Sequence, residues 1–106
     1  MKIELLHIDD CPSWQAGLKN LETALQEEKL AASVELVKVM DNESANQLKF
    51  LGSPSFRIDG QYLWPEERES YSLSCRLYQT PQGMKGFPTV AMLRESLRQF
   101  IHNRHI

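Results

Sequence analysis

The sequence predicts an α/β fold with the element order β-α-β-α-β-β-α. Three observations carry the prediction. An apolar run over residues 2–8 changes to helical spacing over 12–29, a second apolar and β-branched run follows at 33–40, and the chain closes on an amphipathic stripe from 90 to 101.

In the first run Ile3, Leu5, Leu6 and Ile8 are apolar at odd and even positions alike, the pattern of a central strand covered on two sides. Next, Trp14, Leu18, Leu21 and Leu25 fall at i, i+4, i+7 and i+11, one stripe that leaves Gln15, Lys19, Glu22 and Gln26 off it. Gly17 weakens this helix slightly. Residues 33–40 read as a second inner strand. The helix between the two makes a βαβ unit, which implies a parallel pair with a right-handed crossover. Asp41 or Asn42 caps a short helix over 43–50, with Ala45 and Leu48 inward, and Gly52 ends it. Residues 55–58 form a short strand, and Asp59-Gly60 is a strong hairpin-turn signal. The polar segment 65–74 reads as a surface loop, and 74–78 as a last strand antiparallel to 55–58. Residues 79–88, with Pro81, Gly83, Gly86 and Pro88, read as a second loop. Thr89 then caps a final helix whose inner stripe is Val90, Leu93, Leu97 and Ile101, with Phe100 beside it. With no repeat or linker in the pattern, residues 1–106 read as one domain.

Composition narrows the function. A chain of 106 residues, 42% apolar and 25% charged with net charge −2, has the makeup of a soluble globule with one core. Lys and Arg are outnumbered and scattered, which argues against a nucleic-acid partner. No apolar run has the length of a membrane span or signal segment, so the reading is cytoplasmic, with no membrane partner. In a reducing compartment two cysteines point to thiol chemistry, metal binding or inert burial before a structural disulfide.

Cys11 stands where the first strand gives way to the first helix, in Asp9-Asp10-Cys11-Pro12-Ser13-Trp14. Pro12 suits a first helical turn, where a missing N–H costs nothing. A thiol there meets unpaired backbone N–H groups and the positive end of a helix dipole. Both favour the thiolate, which is the nucleophile and the metal ligand. Where a redox Cys-x-x-Cys motif holds its second cysteine, this chain has Trp14.

The element order, the Cys-Pro-Ser-Trp segment and Gly52-Ser53-Pro54-Ser55-Phe56 before the third strand together resemble the thioredoxin fold. That resemblance implies a mixed four-stranded sheet with helices on both faces and a cis-proline at Pro54. It also implies that the backbone of Ser53 lies close to the Cys11 sulfur, ready to pair with a substrate chain. More closely, residues 2–98 are similar in plan to small bacterial thioredoxin-like proteins. Those carry Cys-Pro-x-Trp, Gly-Ser-Pro, a strand ending Asp-Gly, Ser-Cys-Arg-x-Tyr and Gly-x-x-Gly-x-Pro-Thr, which here are residues 11–14, 52–54, 59–60, 74–78 and 83–89. Members of the group are often labelled alkylmercury lyase-like or thioredoxin family protein.

Cys75 has two readings. It is a small apolar residue of the last strand, or it is a remote resolving thiol or second ligand for Cys11. A disulfide requires Cα atoms within about 7 Å, so the second reading needs the loop 65–74 to deliver Cys75 to the helix start. Trp14 begins the helical stripe and packs into the sheet. His7, roughly 13 Å from Cys11 at strand rise, reads as a packed or surface histidine. Asp9 and Asp10 read as a solvated pair whose charge opposes a thiolate. They are also the only local proton donors for a carbon–mercury cleavage. Arg76 reads as a solvated strand arginine, or as a group that neutralises a thiolate or holds a carboxylate. His102 and His105 read as a frayed tail. The glycines at 83 and 86 lack a phosphate-binding context, and no motif asks for a cofactor.

Three functions compete. In the first, Cys11 attacks a disulfide, a thiol adduct or a peroxide on a protein or small molecule, and Cys75 or an external thiol resolves the product. Pro12, Trp14, Ser53, Pro54, Asp10 and Arg76 support that site. In the second, Cys11 and Cys75 hold a soft cation such as Hg(II), which suits two thiolates, while no zinc ligand spacing is present. The third is a redox-silent adaptor.

Overall fold

The computed structural model describes residues 1–104. Its elements are β1 (Ile3–His7), α1 (Ser13–Glu27), β2 (Val34–Lys38), α2 (Asn42–Leu48), β3 (Ser55–Ile58), β4 (Gln61–Tyr62), β5 (Tyr78–Thr80), β6 (Gly83–Lys85) and α3 (Val90–Arg104). Four strands form a mixed sheet in the order β2-β1-β3-β4. β1 runs parallel to β2, from Ile3 opposite Val34 to His7 opposite Lys38, as the βαβ pattern predicts. It is antiparallel to β3, which is antiparallel to β4.

The doubly apolar pattern of β1 has its expected cause. Ile3 and Leu5 enter one core with Leu21, Ala24 and Leu25 of α1 and Leu93 and Leu97 of α3. Leu6 and Ile8 enter a second core with Val39, Ala45 of α2, Phe50 and Cys11. Helices therefore cover both faces of the sheet. Two predicted caps form: Asp41 Oδ1 accepts from the Ser44 N–H at 2.8 Å, and Thr89 Oγ1 accepts from the Met92 N–H at 3.1 Å.

Five expectations are corrected. β2 is an edge strand, not an inner one, and Leu36 on it is 46% exposed. α2 ends at Leu48 on a left-handed Lys49, so Gly52 does not terminate it. Residues 74–78 do not pair antiparallel with β3. The two-residue turn Asp59-Gly60 sends the chain straight back along β3, and β4 takes that edge. The loop 79–88 contains a hairpin, β5 with β6, closed by Thr80 Oγ1, which donates to the Gly83 carbonyl at 2.7 Å. Finally, α3 continues through His102, which is helical and exposed rather than frayed; His105 lies outside the described residues.

Candidate functional site

The site lies where β1 leaves the sheet and α1 begins. Cys11 is 2% exposed and packs in the core beneath α2. Exposed Pro12 occupies the N-cap of α1 in helical conformation, and Trp14 N–H donates to the Cys11 carbonyl at 3.4 Å. No side chain caps this end, and no acidic residue stands in the first turn. The positive end of the helix is thus neutralised by nothing on its own first turn.

The second half is the turn before β3. The Ser53–Pro54 peptide bond is cis, as the resemblance implies. Gly17 of α1 lies directly against it: a Cβ there would stand 3.1 Å from Pro54 Cγ and 3.3 Å from Phe56 Cζ. The glycine that looked merely weakening lets the helix seat on the proline. Ser53 is 1% exposed, and its Oγ accepts from the Ile8 N–H at 3.1 Å, joining the end of β1 to the start of β3. Tyr78 donates its hydroxyl proton to the Pro54 carbonyl, and burial pushes the ionisation of that phenol upward.

The third part is a strap, residues 71–76, laid across the turn. Tyr71 N–H donates to Asn46 Oδ1 at 3.2 Å and Leu73 N–H to Asn42 Oδ1 at 3.1 Å. Ser53 N–H then donates to the Ser74 carbonyl at 2.8 Å, and Arg76 N–H to the Ser53 carbonyl at 3.0 Å, a parallel bridge opposite Cys75. The strap brings Cys75 to Cys11. Their sulfurs are bonded, with Cα atoms 5.9 Å apart across 64 positions of sequence.

Ser53 is consequently not available to a substrate chain, since this chain occupies both of its backbone groups. Arg76 is also corrected: it is buried, not solvated. Its Nη2 donates to the Trp64 carbonyl and lies 3.6 Å from Glu66, and its guanidinium sits 5.0 Å over the Tyr78 ring. It therefore braces the strap from below. Asp9 and Asp10 are exposed, and Asp9 pairs with Lys38 at 2.6 Å, which lowers its pKa. His7 is packed, 6% exposed, with its ring stacked 4.2 Å from Trp14. Trp14 packs partly buried on the α1 core.

Asn42 and Asn46, four apart on α2, are the site residues that sequence reasoning missed. Their spacing marks one helix face, but nothing local reveals partners 31 and 25 positions away. Among the described residues no group of three or more His, Cys, Asp or Glu side chains is assembled. The chain matches no known protein-family profile, no curated protein and no solved structure.

Proposed function

We propose that this chain is a thioredoxin-like thiol–disulfide exchange protein whose redox couple is Cys11 with Cys75. One observation carries the reading: the two cysteines are the only ones in the chain, and they are bonded across the Ser53–Pro54 turn. The sheet order β2-β1-β3-β4, helices on both faces and a cis-proline beside a cysteine at a helix start support the thioredoxin-like assignment. The partner in the missing Cys-x-x-Cys position is replaced by a cysteine delivered on the strap.

The chemistry is a two-electron exchange. Two thiols reduce the Cys11–Cys75 disulfide to a dithiol and leave as one disulfide; the reverse reduces a disulfide substrate. A soft-metal function would use the same two sulfurs in the reduced state, and exchange is preferred because the 5.9 Å Cα separation suits a disulfide.

Equilibration in graded glutathione buffers, acid quenching and peptide mass mapping test this. The expected product is a Cys11–Cys75 linked peptide that appears and disappears with the buffer ratio, and that Cys11→Ser or Cys75→Ser abolishes. Two cysteines that stay free, or that only take up glutathione separately, would count against it.

A further inference from the structure

The two sulfurs of the disulfide are unequally reachable. Cys75 is exposed while Cys11 is 2% exposed. An attacking thiolate approaches a disulfide sulfur along the S–S axis, from the side opposite the leaving sulfur. Cys11 is enclosed in the core formed by Leu6, Ile8, Val39, Ala45 and Phe50, which leaves a thiol little room to reach it. Cys75, by contrast, packs in neither core. Leu73 and Leu77, which alternate with Cys75 along the segment, are exposed too, at 40% and 63%. Between them, Ser74 and Arg76 are tied to Ser53 by main-chain bonds, and the Arg76 side chain is buried.

We infer that Cys75, not Cys11, is the cysteine that exchanges with the external thiol, and that Cys11 acts only on Cys75. This assignment rests on the Cys11–Cys75 couple proposed above. In the opening step a thiolate RS⁻ bonds to the Cys75 sulfur and the S–S bond breaks. Cys11 departs as a thiolate at the N-terminus of α1, where neither a side-chain cap nor a first-turn carboxylate opposes its charge. A second thiolate attacks the RS sulfur, forms RSSR and frees the Cys75 thiolate. In reverse, Cys75 attacks RSSR and expels RS⁻. Cys11 then attacks the Cys75 sulfur, closes the disulfide and expels the second RS⁻; solvent protonates the released thiolates.

The strap makes that last step intramolecular. Its bonds to Asn42, Asn46 and Ser53 involve no cysteine atom, so they hold Cys75 over Cys11 while the disulfide is open.

The test uses the oxidised wild-type protein. It is mixed briefly with excess glutathione, quenched in acid, alkylated and mapped by mass spectrometry. Glutathione should be found on Cys75 and the alkyl label on Cys11, by about tenfold over the opposite arrangement, as steric access decides which sulfur is attacked. Glutathione chiefly on Cys11, or equally on both, overturns the assignment. A protein that contains no Cys11–Cys75 disulfide before mixing overturns the couple itself, a different result. Cys11→Ser should accumulate a lasting glutathione adduct on Cys75 when given glutathione disulfide, because its resolving thiol is gone. Failure to form that adduct also overturns the assignment.

Discussion

At Gly52 the backbone has φ +108°, and a Cβ would stand 2.9 Å from Arg76 Cβ and 3.0 Å from the Arg76 nitrogen. Both facts forbid a side chain. The collision falls on the strap rather than the core, so Gly52→Ala is relieved most easily by the strap lifting from Ser53, which carries Cys75 away from Cys11. The expected outcome is a disulfide harder to close, with an equilibrium constant against glutathione lowered about tenfold for a cost of about 1–2 kcal/mol. Glutathione titration of the oxidised fraction measures it. Ser53→Ala should behave differently. It removes the acceptor of the Ile8 N–H but leaves the backbone bonds to Ser74 and Arg76 intact. A buried N–H without a partner costs about 1–3 kcal/mol. Urea unfolding should show that loss while the glutathione equilibrium moves little.

Among the elements, α1 is fixed by two contacts of opposite kind. At Gly17 the helix touches Pro54 and Phe56, both buried, so an added Cβ requires those packed side chains to shift. Gly17→Ala gains about 1 kcal/mol of helix propensity but overpacks the contact at about 1–3 kcal/mol. The expected net is a lower Tm by a few degrees in thermal unfolding. One turn earlier, Trp14 stacks on His7 of β1, whose Nδ1 has no hydrogen-bond partner among the described residues. Burial lowers the His7 pKa below 6.5, with Lys38 adding to the effect and Asp9 opposing it. The unfolded chain therefore binds this proton more readily than the folded one. Stability is full above about pH 6.5 and falls as the pH drops through the lowered folded value. His7→Phe should flatten the denaturant midpoint between pH 7 and pH 5; an unchanged slope would remove His7 as its cause. The elements show what was readable beforehand. α1 and α3 are legible because each buries a periodic apolar stripe, β1 because it is apolar on both faces, and β3 because the Asp59-Gly60 turn marks its end; the βαβ pairing follows from chain connectivity. β2 was misplaced because its β-branched composition does not say how many neighbours a strand has. Residues 74–76 differ from the strand their sequence suggests because they are held by main-chain bonds to Ser53, after two asparagine side chains anchor residues 71 and 73, and none of these partners has a period to detect.

For the whole molecule, the disulfide joins two parts of the chain already placed by other forces. Both cores close without Cys75: one lies under α1 and α3, and the other takes in only Cys11 of the pair. The link spans 64 positions of sequence, and the chain-entropy argument for a loop of that length puts its effect on the unfolded state at about 4 kcal/mol. Reduction should therefore lower stability without dissolving the fold. Far-UV circular dichroism should be the same in oxidised and reduced protein, while the urea midpoint should fall by an amount equivalent to up to about 4 kcal/mol. The double variant Cys11→Ser with Cys75→Ser should match reduced wild-type protein and ignore reductant. A wild-type midpoint equally indifferent to reductant would mean that the link is absent or energetically idle in solution. If helical signal is lost together with the disulfide, the strap is holding the cores together rather than lying across them. Persistence of the fold with a lowered midpoint fits an exchange couple, because a protein that cycles between disulfide and dithiol must remain folded in both states.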